Sequence, residues 1–335
     1  MRGSVVLAVD GGNSKTDVAL IDMRGSVLAA VRGPGSSPHM LGLERSMQLV
    51  DDLIRAACAE AGIRSGHRQI AEFGAWFMAG ADLPTEERSL QRAIDRLGRT
   101  SSNSVANDTF AILRAGADEG WGVAVVVGAG INCVGRSPDG RRARFASLGE
   151  ITGDWGGGSD IGMAALGAAV RSEDGRSGPT RLSHDIAAHF GRRRSSDVAI
   201  ALHQELLNQR QLRELAPIVV AAAQTGDRAA IEILNRQADE IVAFVIGAIR
   251  RLRIARLDVP VVLGGSIMAA LPPRFVARIE IGVQDVAPNA HCAVCYDRPV
   301  VGAALAALDL AGATVSAAAR VRRLLTDDRI REIAV

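Results

Sequence analysis

One pattern, written twice, constrains this chain more than any other feature. "SVVLAVDGGNSKTDVALIDMRGSVLAAVRG", near the start, is three short β-rich runs separated by turn residues, and the first break is a Gly-Gly pair. "WGVAVVVGAGINCVGRSPDGRRARFASLG", from Trp121, repeats the plan as apolar run, glycine turn, short run, Pro-Asp-Gly turn and third run. Each stretch predicts a three-stranded antiparallel meander. After the first meander the hydrophobic period alternates between helix and strand. It predicts a helix over 43–62 with Leu49, Leu53, Ile54 and Ala57 at helical spacing, a buried strand over 73–80 and a helix over about 84–98 that opens at a proline. A strand ending at Asn107-Asp108 and a helix beginning "TFAILRAGA" follow. After the second meander, five glycines between Gly153 and Gly162 lead into a helix. A long amphipathic helix from about Asp227 to Arg253 carries Ile231, Leu234, Ala238, Ile241, Val245 and Ile249 on one face. "DVPVVLGGSIM" is then a buried strand and a Gly-Gly turn, and Pro299 opens the last long helix. The whole is a duplicated α/β architecture.

Size and charge narrow the function. A chain of 335 residues with 48% hydrophobic content has enough apolar material for one large or two medium domains. The net charge is only +2, and the triplet Arg192-Arg193-Arg194 reads as a solvated approach to a helix. With 3% aromatic residues there is little to stack on bases, so no nucleic-acid partner is expected. The apolar run "VVLAV" before Asp10 is too short for the apolar region of a signal peptide, and "IVAFVIGAI" at 241–249 falls far short of the roughly 20 residues of a membrane span. A cytoplasmic protein without a membrane partner is expected. Cys58, Cys133, Cys292 and Cys295 do not make a disulfide framework in a chain this long. Cys292 and Cys295 have the spacing of a redox pair or half a zinc site, but with only His291 adjacent and no second pair the expectation is two buried thiols.

The chain holds a single lysine, Lys15, against 38 arginines, and that lysine stands in "DGGNSKT". Glycines there relieve the backbone of side-chain bulk where a strand enters a turn, so amides can face an anion, although glycines also simply make hairpins. A carboxylate, an amide, two hydroxyls and a compact cation in one turn suit a metal-bound phosphate chain. In that arrangement Asp10 holds the water shell of Mg²⁺, and Lys15, Ser14 and Thr16 meet phosphate oxygens. The chain has no G-x-x-x-x-G-K-[ST] sequence, and no G-x-G-x-x-G follows the first strand, which excludes P-loop and Rossmann readings.

Two glycine-turn hairpins with a late Gly-Gly turn resemble the actin, hexokinase and Hsp70 superfamily. "AVDGGNSKTDVALID" is similar to its first phosphate loop, "VVVGAGINCVG" to its second and "VVLGGSIM" to its adenosine segment. Within that superfamily, "ANDTF", "GDWGGGSDIG" and "RPVVGAALAAL" resemble the N-acetylglucosamine kinase and BadF/BadG/BcrA/BcrD ATPase family over nearly the whole chain. The resemblance implies an α/β fold of two RNase H-like (actin/hexokinase-type) domains, each on a mixed five-stranded sheet, with a nucleotide and sugar cleft between them. The domains are expected over 1–117 and 118–335, the last helix packing back on the first. It implies ATP and Mg²⁺ as cofactors, an amino sugar as substrate and a homodimer.

Residue by residue, the resemblance has Asp10 organise Mg²⁺ while Gly11, Gly12, Asn13, Ser14, Lys15 and Thr16 surround the terminal phosphates. Gly128, Ala129 and Gly130 clasp them from the second domain. Ala129 lacks the hydroxyl usual in the family and leaves that work to backbone amides. Gly264 and Gly265 let adenine and ribose approach. Asp108 becomes the general base beside Asn107, and Asp154 a ligand of the sugar hydroxyls. Taken alone, Asn107-Asp108 reads as a helix N-cap, and Asp154 as a residue that holds its own turn. Trp155, where the family usually has Glu, can face a sugar or be core. Ser36, Ser37 and His39 occupy the place of a sugar-binding Asn, and Leu148 replaces an aromatic close to Glu150, which can recognise an amine as readily as a hydroxyl. The implied activity is phosphorylation of the 6-hydroxyl of an amino sugar, N-acetylglucosamine first, with glucosamine or a muramic-type sugar as alternatives. The family's other activity, ATP-driven activation of a dehydratase or reductase through an iron–sulfur cluster, calls for two central cysteines, and only Cys133 stands there.

Overall fold

The computed structural model describes residues 4–64, 66 and 69–333. It divides into two compact units, Met1–Gly122 with Cys295–Val335, and Val123–Val294. The sequence places the boundary near residue 117 and has the last helix pack back on the first domain. In the structure the boundary falls after Gly122, and the C-terminal stretch from Cys295 belongs to the first unit.

The first unit is built on six strands: β1 (Val5–Gly11), β2 (Lys15–Asp22), β3 (Val27–Pro34), β4 (Ala71–Met78), β5 (Thr100–Asn107) and, at the far end of the chain, the two-residue strand Arg331–Glu332. β1, β2 and β3 form the predicted antiparallel meander, and β4 and β5 continue the sheet in parallel. The central strand is apolar on both faces, with Val6, Leu7, Ala8 and Val9 all fully buried, as expected of a strand covered by helices on each side. The helix Leu43–Glu60 packs Leu53, Ile54 and Ala57 into one core with Leu7, Val18, Leu20 and Trp76. The helix Pro299–Leu310 packs against the helix Thr109–Gly116 so closely that a Cβ on Gly302 would lie 1.8 Å from the Ala111 carbonyl oxygen. The sixth strand pairs in parallel with β3 and extends the expected five-stranded sheet.

The second unit repeats the plan with β6 (Gly122–Val127), β7 (Ile131–Arg136), β8 (Arg142–Arg144), β9 (Pro260–Gly264) and β10 (His291–Val294). Its order, β10-β9-β6-β7-β8, is that of β5-β4-β1-β2-β3 in the first sheet, so the duplication read from sequence is a duplication of topology. The helix Arg228–Leu252 buries Leu234, Ala238, Ile241, Val245 and Ile249, and Ile231 is half-buried at its start. Among the described residues no helix is long and apolar enough to cross a membrane. Arg192, Arg193 and Arg194 are exposed just before the helix Ser195–His203. Cys292 and Cys295 are half-buried, contrary to the expected buried thiols: Cys292 lies on the edge strand β10 and Cys295 just past its end; all four cysteines are free.

Candidate active site

In the first unit, parallel pairing of β1 with β4 and of β4 with β5 brings three chain segments to one edge of the sheet. Asp10 is the penultimate residue of β1, only 4% exposed and directly across the hairpin from Asp17. Asp17 is neutralised by a two-pronged pair from Arg32, with both N–O distances 2.6 Å. Asp10 has no such partner: among the described residues no hydrogen bond or ion pair ends on its carboxyl group. Burial pushes its pKa well above the ordinary carboxylate value. The charges of Asp108 and Asp17 push it further, against the pull of Lys15 and Arg32. A buried carboxyl group flanked by a second one is an environment that a divalent cation relieves, so these residues fit Mg²⁺.

The turn after Asp10 is shaped by close backbone contacts. A Cβ on Gly11 would meet Met78 Sδ at 2.5 Å, and one on Gly35 would meet the Asn13 carbonyl at 2.1 Å. Gly12 donates its N–H to the Lys15 carbonyl at 3.0 Å, so that amide is used within the hairpin and does not face an anion. Asn13 and Ser14 are exposed at the tip, and Lys15 is half-buried. Burial lowers the Lys15 pKa, opposed by Asp17 and Asp10 and reinforced by the charges of Arg32 and Arg298. Thr16 departs from its expected role. It is fully buried, and its hydroxyl donates to Ser36 Oγ at 2.8 Å, in a strand that is covered on both faces.

Asp108 follows β5 at the N-cap position of the helix Thr109–Gly116, yet its side chain makes no capping bond and its backbone is already helical. The cap is Asn107, whose Oδ1 accepts the Thr109 N–H at 2.9 Å while its Nδ2 donates to Asp82 Oδ1 at 2.7 Å. This leaves the Asp108 carboxyl group for other work. Burial, and then the charge of Asp82, raise its pKa to about 6, against the backbone amides of Thr109 and Asp108. Ser37 is fully buried and its hydroxyl has no hydrogen-bond partner among the described residues. His39 is exposed and meets Glu86 Oε1 at 2.8 Å.

In the second unit, Gly128, Ala129 and Gly130 join β6 to β7. Gly128 donates its N–H to the Gly130 carbonyl at 2.9 Å. The carbonyls of Gly128 and Ala129 accept the first amides of the helix Gly158–Glu173, from Gly158 at 2.8 Å and Ser159 at 3.0 Å. A Cβ on Gly128 or Gly130 would point into open space. One on Gly157 would strike the Gly130 backbone at 2.5 Å, so the glycine run serves to seat the helix on this loop. Gln237, buried on the apolar face of its helix, accepts the Gly157 N–H at 2.7 Å. Gly265 has φ +99° and would place a Cβ 2.2 Å from the Val127 carbonyl, which sets the turn after β9 against the end of β6; Gly264 pairs with Val126.

The other second-unit candidates are held locally. Asp154 accepts the Thr152 hydroxyl and donates its own N–H to the Gly149 carbonyl at 3.0 Å, which is the turn-holding role. Glu150 is exposed on the single turn Gly149–Ile151. Trp155 is half-buried beneath the Arg236 guanidinium, 4.0 Å from its ring centre. Cys133 is fully buried on β7, and burial pushes its thiol far up, an inert position for a cluster ligand.

Sequence reasoning missed Asp82, Arg298 and Gln237. Gln237 had a signal, a polar residue three positions after Leu234 on an apolar stripe. Asp82 had none, since an acid ahead of Leu-Pro at a helix start is ordinary.

The chain is 28% identical over 266 residues to the N-acetylmuramic acid/N-acetylglucosamine kinase of Clostridium acetobutylicum, covering 78% of this chain and 85% of that protein. It is 25% identical over 332 residues to the N-acetyl-D-glucosamine kinase of Dictyostelium discoideum, covering 92% and 99%. The solved structure of an N-acetylglucosamine kinase candidate from Chromobacterium violaceum has the same fold, with a TM-score of 0.69 at 24% identity over 91% of this chain and 99% of that one. A single family model matches residues 7–307, nearly the whole duplicated architecture, and the chain belongs to the BadF/BadG/BcrA/BcrD ATPase family.

Proposed function

We propose that this protein is an ATP-dependent kinase that phosphorylates the 6-hydroxyl of an amino sugar, with N-acetylglucosamine as first substrate and a muramic-type sugar or glucosamine as alternatives. The observation that carries the reading is the pair of carboxyl groups Asp10 and Asp108 at one sheet edge. One is buried without a partner, and the other is released from capping with its pKa raised to about 6. Names of the two curated relatives support the substrate class.

Phosphoryl transfer asks mainly for positioning and charge neutralisation. Ionised above about pH 6, Asp108 accepts the proton of the sugar hydroxyl as its oxygen bonds to the γ-phosphorus and the bond to ADP breaks. Asn107, fastened to Asp82 and to the Thr109 amide, keeps the strand end from turning as the proton arrives. Asp10 would hold Mg²⁺, which supplies charge neutralisation at the phosphate oxygens. Lys15, Asn13 and Ser14 line the turn that receives the terminal phosphates, and Gly11 and Gly12 keep it narrow. Gly128, Ala129, Gly130, Gly264 and Gly265 take the nucleotide in the second unit. In the first unit the unpartnered Ser37 hydroxyl is the polar group offered to sugar. A cytoplasmic homodimer belongs to the same proposal and is checked by light scattering and cell fractionation.

Release of ADP across a panel of N-acetylglucosamine, N-acetylmuramic acid, glucosamine and glucose tests the reading. Turnover is expected to rise well above the ATP-only rate with at least one N-acetylated amino sugar. A panel in which no sugar raises it overturns the kinase assignment.

A further inference from the structure

His39, Asp82 and Glu86 come from three places in the first unit: the short turn Pro38–Leu41, the loop after β4 and the first turn of the helix Pro84–Leu97. One ligand atom from each lies within 4.8 Å of the others. Each carboxylate is already oriented by donors outside that triangle. Glu86 Oε2 takes the N–H of Leu83 at 2.9 Å and of Asp82 at 3.2 Å, which leaves Oε1 to face His39 Nε2 at 2.8 Å. Asp82 Oδ1 takes the Asn107 amide at 2.7 Å, which leaves Oδ2 as its other donor atom. Carboxylates held by amide donors while a second oxygen stays available are typical of the outer shell that orients metal ligands. A cavity of about 340 Å³ lined by His39, Gly80, Thr85, Glu86 and Ser89 gives an ion a way in.

We propose that His39, Asp82 and Glu86 form a divalent transition-metal site, with zinc as its ion, separate from the magnesium position at Asp10. One imidazole and two carboxylates suit a borderline ion better than Mg²⁺ or Ca²⁺, which take oxygen alone. Zinc bonds of about 2.0 to 2.2 Å ask the ligand atoms to close to roughly 3.5 Å, and the exposed His39 ring has the freedom to turn inward. The ion takes the place of the hydrogen bond between His39 and Glu86. Because Asp82 holds Asn107 next to Asp108, an ion here draws on the same strand end that carries the proposed base. The site itself rests on the ligand geometry and not on the kinase reading.

The test is a Co²⁺ titration of chelator-treated protein, followed by displacement with Zn²⁺. The expected result is one Co²⁺ per chain, retained in Asp10→Asn, with d–d absorption and no thiolate charge-transfer band, and displaced by one equivalent of Zn²⁺. His39→Ala is expected to keep the melting temperature and to weaken zinc affinity by about 10- to 100-fold. Asp82→Asn, which still offers Asn107 an acceptor, reads the same loss should His39→Ala fail to fold. No stoichiometric binding, a thiolate band from the cysteines, or unchanged affinity in a folded variant overturns the proposal.

Discussion

Asn107 Nδ2 donates to Asp82 Oδ1 at 2.7 Å, tying the end of β5 to the loop that leaves β4. The bond joins residues that neighbouring parallel strands deliver to the same edge, and it puts a carboxylate charge beside Asp108. The pH dependence of the enzyme follows from it. A base must be ionised to work, so kcat/KM is expected to rise with pH through about 6 and then level off. In Asp82→Asn the charge that helps raise Asp108 is gone, and the limb moves to lower pH. A pH–rate profile with the same midpoint in wild type and Asp82→Asn contradicts the coupling.

Asp108→Asn is expected to lower turnover by about 10²- to 10⁴-fold, the usual worth of a general base, while raising stability at neutral pH. The sign follows from the raised pKa. A carboxyl group that titrates near 6 when folded and near 3.8 when unfolded opposes folding, with a penalty absent below 3.8, growing between those values and complete above about 6. Melting curves of variant and wild type are therefore expected to separate as pH rises through that window. Identical curves at pH 5 and pH 8 would speak against the burial argument.

Lys15→Ala is expected to raise KM for ATP, by about 1.5 to 3 kcal/mol if one charge-assisted hydrogen bond is lost, and to leave sugar KM nearly unchanged. Lys15→Arg is expected to be nearly as poor. The position is half-buried with Arg32 and Arg298 close enough to lower its pKa, and a forked guanidinium replaces the compact point charge there. Wild-type ATP kinetics in Lys15→Ala would make the single lysine a compositional accident.

Breaking the buried pair of Asp51 and Arg99 is expected to cost stability. Arg99 meets both Asp51 oxygens, at 2.6 and 2.9 Å, with 2% of its side chain exposed. Asp51→Ala leaves that guanidinium without its carboxylate, a loss of about 3 to 5 kcal/mol by chemical denaturation. Burial raises the Asp51 pKa, but the bonds from Arg99 and Arg55 outweigh it and hold the pKa below 3.8. Its stabilisation is thus complete above 3.8 and lost as pH falls through the lowered folded value.

Gly302→Ala is expected to destabilise the first unit by about 1 to 3 kcal/mol or more, since a methyl group 1.8 Å from a carbonyl oxygen forces two helices apart. Gly128→Ala, where a Cβ meets open space, is expected to change stability little. Equal melting temperatures for wild type and Gly302→Ala would contradict the packing.

The elements of this protein were legible because they are written in local periods. Alternation and apolar runs mark the strands, 3.6-residue spacing marks the helices, and the repeated meander marks the duplication, all properties of neighbours in the chain. Strand His291–Val294 escaped because it is only four residues long and none of them is fully buried. The site was legible only as a set of motifs. Whether Asp108 caps its helix depended on Asn107 taking the Thr109 amide, and whether the Thr16 hydroxyl faces a ligand depended on Ser36 waiting across the hairpin to receive it. The glycines at 156–158 read only as the lead into a helix, and what they pack against, Gly130 and Gln237, emerged in the fold. Such facts lie between residues far apart in sequence. Burial of Asp10 and the meeting of Asp82 with Asn107 are consequences of strand order, and strand order sets the desolvation and neighbouring charges that give a carboxyl group its chemistry. The sequence by itself determined which elements form and which polar residues are carried to the sheet edge. Only the tertiary structure decided which of them are left without partners, because a partner is a matter of distance in space.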